Sequence, residues 1–95
     1  MATMVTGDTL DKAVALLKAI AHHNRIQIVI VLINGEVCVG ELAELLGARQ
    51  PQTSQQLSIL KLAGVLKSRR AGNKTYYSLA NDGIKRIVKS IIAEI

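Results

Sequence analysis

The chain has no tryptophan and no phenylalanine, and its aromatic residues are Tyr76 and Tyr77. Its core must therefore be aliphatic. One cysteine excludes an intramolecular disulfide framework and any zinc site built from cysteine alone. A single proline excludes a proline-rich linker, and an apolar fraction of 49% excludes a disordered tail. The longest uncharged apolar stretch, Ile26 to Gly35, is 10 residues, too short to span a bilayer. The first residues carry neither a basic segment nor an apolar one, so no secretory signal is read. The expectation is a cytoplasmic, membrane-free protein with a reduced thiol. No Ser/His/Asp set, partnered carboxylate pair or phosphate-cradling glycine loop points to an enzyme.

What is present is one domain, residues 1–95, with residues 1–8 read as a flexible N-terminal tail. The net charge is +5, from 12 Lys and Arg against 7 Asp and Glu. Between Glu44 and Asp82 there is no acidic residue, yet Arg49, Lys61, Lys67, Arg69, Arg70 and Lys74 fall there. Such a window is either a solvated face or a phosphate-contacting surface.

Periodicity and caps divide the chain into short elements. Asp8 or Thr9 caps a first helix, whose Leu10, Val14 and Leu17 share a face. Asn24 opens a second segment, 26–33. Its β-branched run suits a buried strand, while the Asn24 start and Asn34-Gly35 stop favour a helix. A short extended stretch follows, then a helix over 40–46 and another over 51–63 with Pro51 at its first position. Strands over 65–70 and 75–79 flank a turn at Ala71-Gly72-Asn73-Lys74. Asn81 caps a last helix carrying Ile84, Ile87, Val88, Ile91, Ile92 and Ile95.

Two short helices joined by a turn form a helix-turn-helix. The second offers Gln52, Thr53, Gln55 and Gln56, with Gln50 and Ser54 near its start. Glutamine pairs bidentately with adenine in the major groove, and Ser or Thr bonds base edges or phosphates. Arg49, Lys61, Arg69, Arg70 and Lys74 are the candidate phosphate contacts. A basic hairpin after the helix-turn-helix makes a wing. The fold class is thus mainly α: four helices, a two-stranded hairpin and a fifth helix, a winged helix-turn-helix.

The stretch from Gly35 to Asp82 closely resembles the ArsR/SmtB family of bacterial and archaeal winged-helix repressors. The resemblance rests on Glu36-x-Cys38-Val39-x-Glu41-Leu42, on Gln50, Ser54, Leu57, Leu60 and Ala63-Gly64-Val65, and on Arg70-x-Gly72 before Tyr76-Tyr77. Upstream, Lys18-Ala19-Ile20-Ala21 and Arg25 through Leu32 are similar to the same family, which implies that segment 26–33 is helical. The resemblance also implies a homodimer bound to an inverted repeat of double-stranded operator DNA. Dimerisation would use the first and last helices, through Leu10, Val14, Leu17, Ile84, Ile87, Val88, Ile91, Ile92 and Ile95.

Family members often sense a metal, through a cysteine pair on the third helix, Asp and His on the last, or an N-terminal Cys/His set. Here Gly40 stands at the second thiol position, and the last helix has no His or Cys. His22 and His23 are adjacent, so on a helix they point about 100° apart. No metal site and no cofactor is expected, and the residues specify no inducer. A sulfide- or oxidant-sensing branch of the family has a second cysteine on the last helix, absent here. Cys38 is thus either a small buried hydrophobe or a candidate redox sensor at the start of the third helix.

The leading expectation is a dimeric repressor that occludes a promoter operator. The alternative is a winged-helix protein-docking module with only non-specific nucleic-acid affinity. That module would carry an apolar or acidic recognition face, whereas this face is polar and basic.

Overall fold

The β-branched segment after Arg25 is a helix in the computed structural model, which describes residues 4–95. Burial on most sides overrides its strand propensity: Ile28, Val29 and Leu32 are buried, and Ile26, Ile30 and Val31 pack against the core. The elements run α1 (Gly7–Ile20), α2 (His23–Leu32), β1 (Val37–Cys38), α3 (Val39–Leu46), α4 (Gln50–Leu62), β2 (Leu66–Ala71), β3 (Lys74–Leu79) and α5 (Asp82–Ala93). No single helix among the described residues is long and apolar enough to cross a membrane.

Local chemistry sets the helix ends. The α1 cap is Thr6, whose hydroxyl accepts from the Thr9 N–H at 3.3 Å, so the helix starts ahead of the expected Asp8 or Thr9 cap. Residues 7 and 8 are therefore helical rather than part of a tail, and residues 1–3 lie outside the described residues. His22, not Asn24, caps α2, its Nδ1 accepting from the Asn24 N–H at 3.3 Å. Asn81 caps α5 as expected, its Oδ1 accepting from the Ile84 N–H at 3.1 Å.

The sheet has three strands in the order β1-β3-β2, all antiparallel. The hairpin expected from the sequence gains an extra strand, because Val37 and Cys38 pair with Tyr77 and Tyr76. Gly72 turns the hairpin at φ 64, a left-handed conformation that glycine adopts without steric penalty. The core is aliphatic, centred on Ile28, Leu42, Leu57, Leu60, Val65 and Val88. Through it α2 supports α1, α4 and α5.

Candidate nucleic-acid interface

Helices α3 and α4 are joined by Gly47-Ala48-Arg49. Gly47 takes φ 63, ends α3 and turns the chain into α4. Arg49 is the α4 cap, Pro51 lies in the first turn, and no acidic residue is there. The positive end of the helix dipole is thus left without a neutralising carboxylate.

Leu57 and Leu60 fix α4 on the core, and Thr53, one turn earlier, faces inward with them. Gln52 and Gln55 are exposed on the opposite side, Gln50 is exposed at the helix start, and Ser54 is half-buried. Thr53 corrects the expectation. It is 2% exposed and its hydroxyl donates to the Arg49 carbonyl at 2.9 Å, so it braces the first turn and has no access to a base. Gln56 is half-buried one turn beyond Gln52, its Oε1 accepting from Arg25 Nη1 at 3.4 Å, and with Gln52 and Gln55 it lines a hollow against Asn24 and Gln27 of α2.

The two wing arginines lie on opposite faces, because successive strand residues alternate. Ser68 and Arg70 share the face toward α4, where Lys61 Nζ donates to Ser68 Oγ at 2.7 Å. Thr75, paired with Arg70, lines a groove with Gln50 and Ser54 of α4 and with Asn73 and Lys74 of the wing. Arg70 and Lys74 are exposed. Arg69 points the other way. It donates from Nε and Nη2 to Glu36, and its guanidinium lies 4.9 Å from the Tyr76 ring centre. Its charge is matched by a carboxylate in an exposed pair, which leaves it less free than Arg70 to meet a phosphate.

Cys38 lies at the floor of the same groove, 6% exposed, with Sγ donating to Glu41 Oε1 at 3.1 Å. Among the described residues, no three or more His, Cys, Asp or Glu side chains gather into a metal-sized group.

Away from the groove, two apolar stripes face solvent in this single chain. On α1 they are Leu10, Val14 and Leu17, each about half exposed. On α5 they are Ile87, Ile91 and Ile92, continued by Ile95 beyond the helix. Ile84 and Val88 do not belong to this surface. They are 2% and 0% exposed and complete the chain's own core, so neither reaches a partner.

Helices α2 to α4 with the β2–β3 hairpin make a winged helix-turn-helix domain, the class that fold and site together define. Residues 22–68 match the model of the bacterial regulatory protein, arsR family. The chain is 41% identical over 78 residues to the biofilm growth-associated repressor of Agrobacterium fabrum, an alignment covering 82% of this chain and 67% of that protein. It is 42% identical over 86 residues to the transcriptional repressor SmtB of Mycobacterium tuberculosis, covering 90% of this chain and 64% of that protein. The chain thus spans about two thirds of the length of these relatives. Among solved structures, the homodimeric winged helix-turn-helix DNA-binding domain Mb0332 from Mycobacterium bovis superposes with a TM-score of 0.86 at 30% identity, covering 99% of this chain and 91% of that one. The chain belongs to the arsR family of bacterial regulatory proteins, whose members here are transcriptional regulators and not enzymes.

Proposed function

We propose that this chain is a dimeric, sequence-specific transcriptional repressor that binds an inverted-repeat operator and occludes a promoter. One observation carries the reading. Gln50 and Ser54 at the start of α4 line one groove with Asn73, Lys74 and Thr75 of the wing, Gln52 and Gln55 are exposed on the same helix, and there is no carboxylate between Glu44 and Asp82. Gln52 and Gln55 would read base edges in the major groove, with Gln50 and Ser54 at the helix start. Arg49, Lys61, Arg70 and Lys74 would hold phosphates on either side.

The exposed stripes of α1 and α5 supply the dimer. A chain of this size gains by burying such stripes against a second copy around a two-fold axis. That arrangement would present two α4 helices to successive major grooves. The repressor names of the relatives and the homodimeric state of the Mycobacterium bovis domain support the same reading. Thiol control is a subsidiary part of it: an adduct on Cys38 would enter the groove between Gln50 and Lys74.

The test is fluorescence anisotropy at physiological salt, using the duplex upstream of the chain's own gene and a scrambled duplex, each with and without reductant. Tight binding to the upstream duplex alone is expected. Weak and equal binding to both would move the docking-module alternative ahead.

A further inference from the structure

Arg25 of α2 sits between the helix that carries one apolar stripe and the helix that carries the exposed glutamines. The last carbonyls of a helix lack intrahelical partners. In α1, Leu17 O is taken by the Ala21 N–H and Ile20 O by the His22 N–H. Ala19 O is taken by a side chain, with Arg25 Nε donating at 2.7 Å. The same guanidinium donates from Nη1 to Gln56 Oε1 of α4 at 3.4 Å. Arg25 is half-buried, and its stem lines a shallow groove between Ala15 and Ala19 of α1 and Ile59 and Leu62 of α4.

Two features set this contact apart from ordinary packing. Among the described residues the ion pairs are Lys12–Asp8 and Arg69–Glu36, so Arg25 has no carboxylate partner. A partly buried charge without a counter-ion is costly, and a neutral side chain could fill the same space. What a neutral side chain lacks is the planar fork, which holds two acceptors at a fixed angle.

We infer that Arg25 is a positioning residue that sets the angle of α4 relative to α1, and with it the half-site spacing the dimer accepts. The inference rests on the dimeric DNA-binding reading above. In a two-fold dimer built partly on α1, the separation of the two α4 helices follows from the α1–α4 geometry within each chain. Half-site spacing is the quantity that geometry fixes. Arg25 meets α4 at Gln56, one turn beyond exposed Gln52, and Asn24 and Gln27 on either side of it line a hollow with Gln52, Gln55 and Gln56, so the test must separate positioning from a direct phosphate contact.

The experiment first selects a duplex from a random library with the full wild-type chain. Binding is then measured on the selected full site, on a single half-site, and on full sites with the spacer lengthened or shortened by one base pair. The variants are Arg25→Met and Arg25→Lys, with melting curves beside them. Arg25→Lys keeps charge and stem but not the fork, so it keeps the question answerable if Arg25→Met folds poorly. Both variants are expected to bind the half-site within about twofold of wild type, and the full site about tenfold more weakly, since uncoupled half-sites lose the advantage of simultaneous engagement. The spacer preference should flatten and the salt dependence should stay unchanged. The inference is overturned if Arg25→Lys keeps the wild-type spacer preference. It is equally overturned if Arg25→Met loses half- and full-site affinity alike with a shallower salt slope, the signature of a phosphate contact. A wild-type chain that selects no sequence would overturn the functional reading itself, and this inference with it.

Discussion

Arg69 Nε donates to both carboxylate oxygens of Glu36, at 3.0 and 2.9 Å, although the two residues are 33 positions apart in the chain. The contact ties the first wing strand to the segment leading into β1. The guanidinium holds the Glu36 carboxyl below the usual carboxylate range, chiefly through this hydrogen bonding. A carboxylate with a depressed folded pKa stabilises the fold above its unfolded pKa, and the contribution fades as pH falls through the folded value. The melting-temperature difference between wild type and Glu36→Gln should therefore be largest near neutrality and shrink in acid. It should be small throughout, because the pair is exposed. Melting curves over a pH series decide this, and a difference that does not vary with pH would remove the pair as its source.

Gln55 and Arg70 should fail in different ways. Gln55→Ala is expected to lose about 1–3 kcal/mol of discrimination at one base position. Arg70→Ala should weaken cognate and scrambled duplexes alike and reduce the salt slope by about one. If the two variants behave identically on both duplexes, the division into base reading and phosphate holding is wrong.

Thr53→Val tests the inward placement of Thr53. It deletes the hydroxyl that donates to Arg49 O, with an expected loss of about 1 kcal/mol. Base preference on a panel of single-substitution duplexes should not change. An altered preference at one position would return Thr53 to the reading surface.

The stripe residues and the core residues of α5 should separate cleanly. Val14→Glu combined with Ile91→Glu places charges at exposed positions, and sedimentation should show a folded monomer. Val88→Ala, at a site with no exposure, should instead destabilise by about 2 kcal/mol without changing the dimer contacts. A double variant that sediments as a dimer would exclude this surface.

Cys38 is largely covered, so alkylation of the native protein should be much slower than that of the denatured chain, as read by mass spectrometry. Equal rates would mean that the groove opens freely around the thiol.

Much of this is legible in the sequence. The Asn81 cap, the α3–α4 turn at Gly47 and the Gly72 turn follow from local chemistry, whereas the β-branched run of 26–33 leaves strand and helix open until the family resemblance implies a helix. The inward placement of Thr53, Ile84 and Val88 is legible too. Thr53, Leu57 and Leu60 follow the spacing of a buried stripe, and Ile84 and Val88 are one turn apart on the inner side of a helix whose apolar residues cover more than one face. Strand alternation alone would have put Arg69 and Arg70 on opposite sides. Other features had no local signal. β1 is two residues long, and its pairing depends on where β3 arrives. Arg25 reaches α4 across 31 positions, and no spacing rule connects them.

β3 is hydrogen-bonded along both edges, to β2 of the hairpin and to β1. β1 passes without a break into α3, the helix on which α4 rests. Wing and α4 are thus tied twice, through the pairing of Val37–Cys38 with Tyr77–Tyr76 and directly through Lys61 and Ser68. Moving the wing relative to α4 therefore means straining both ties at once, so the two travel as a single rigid frame rather than as a body with a free flap.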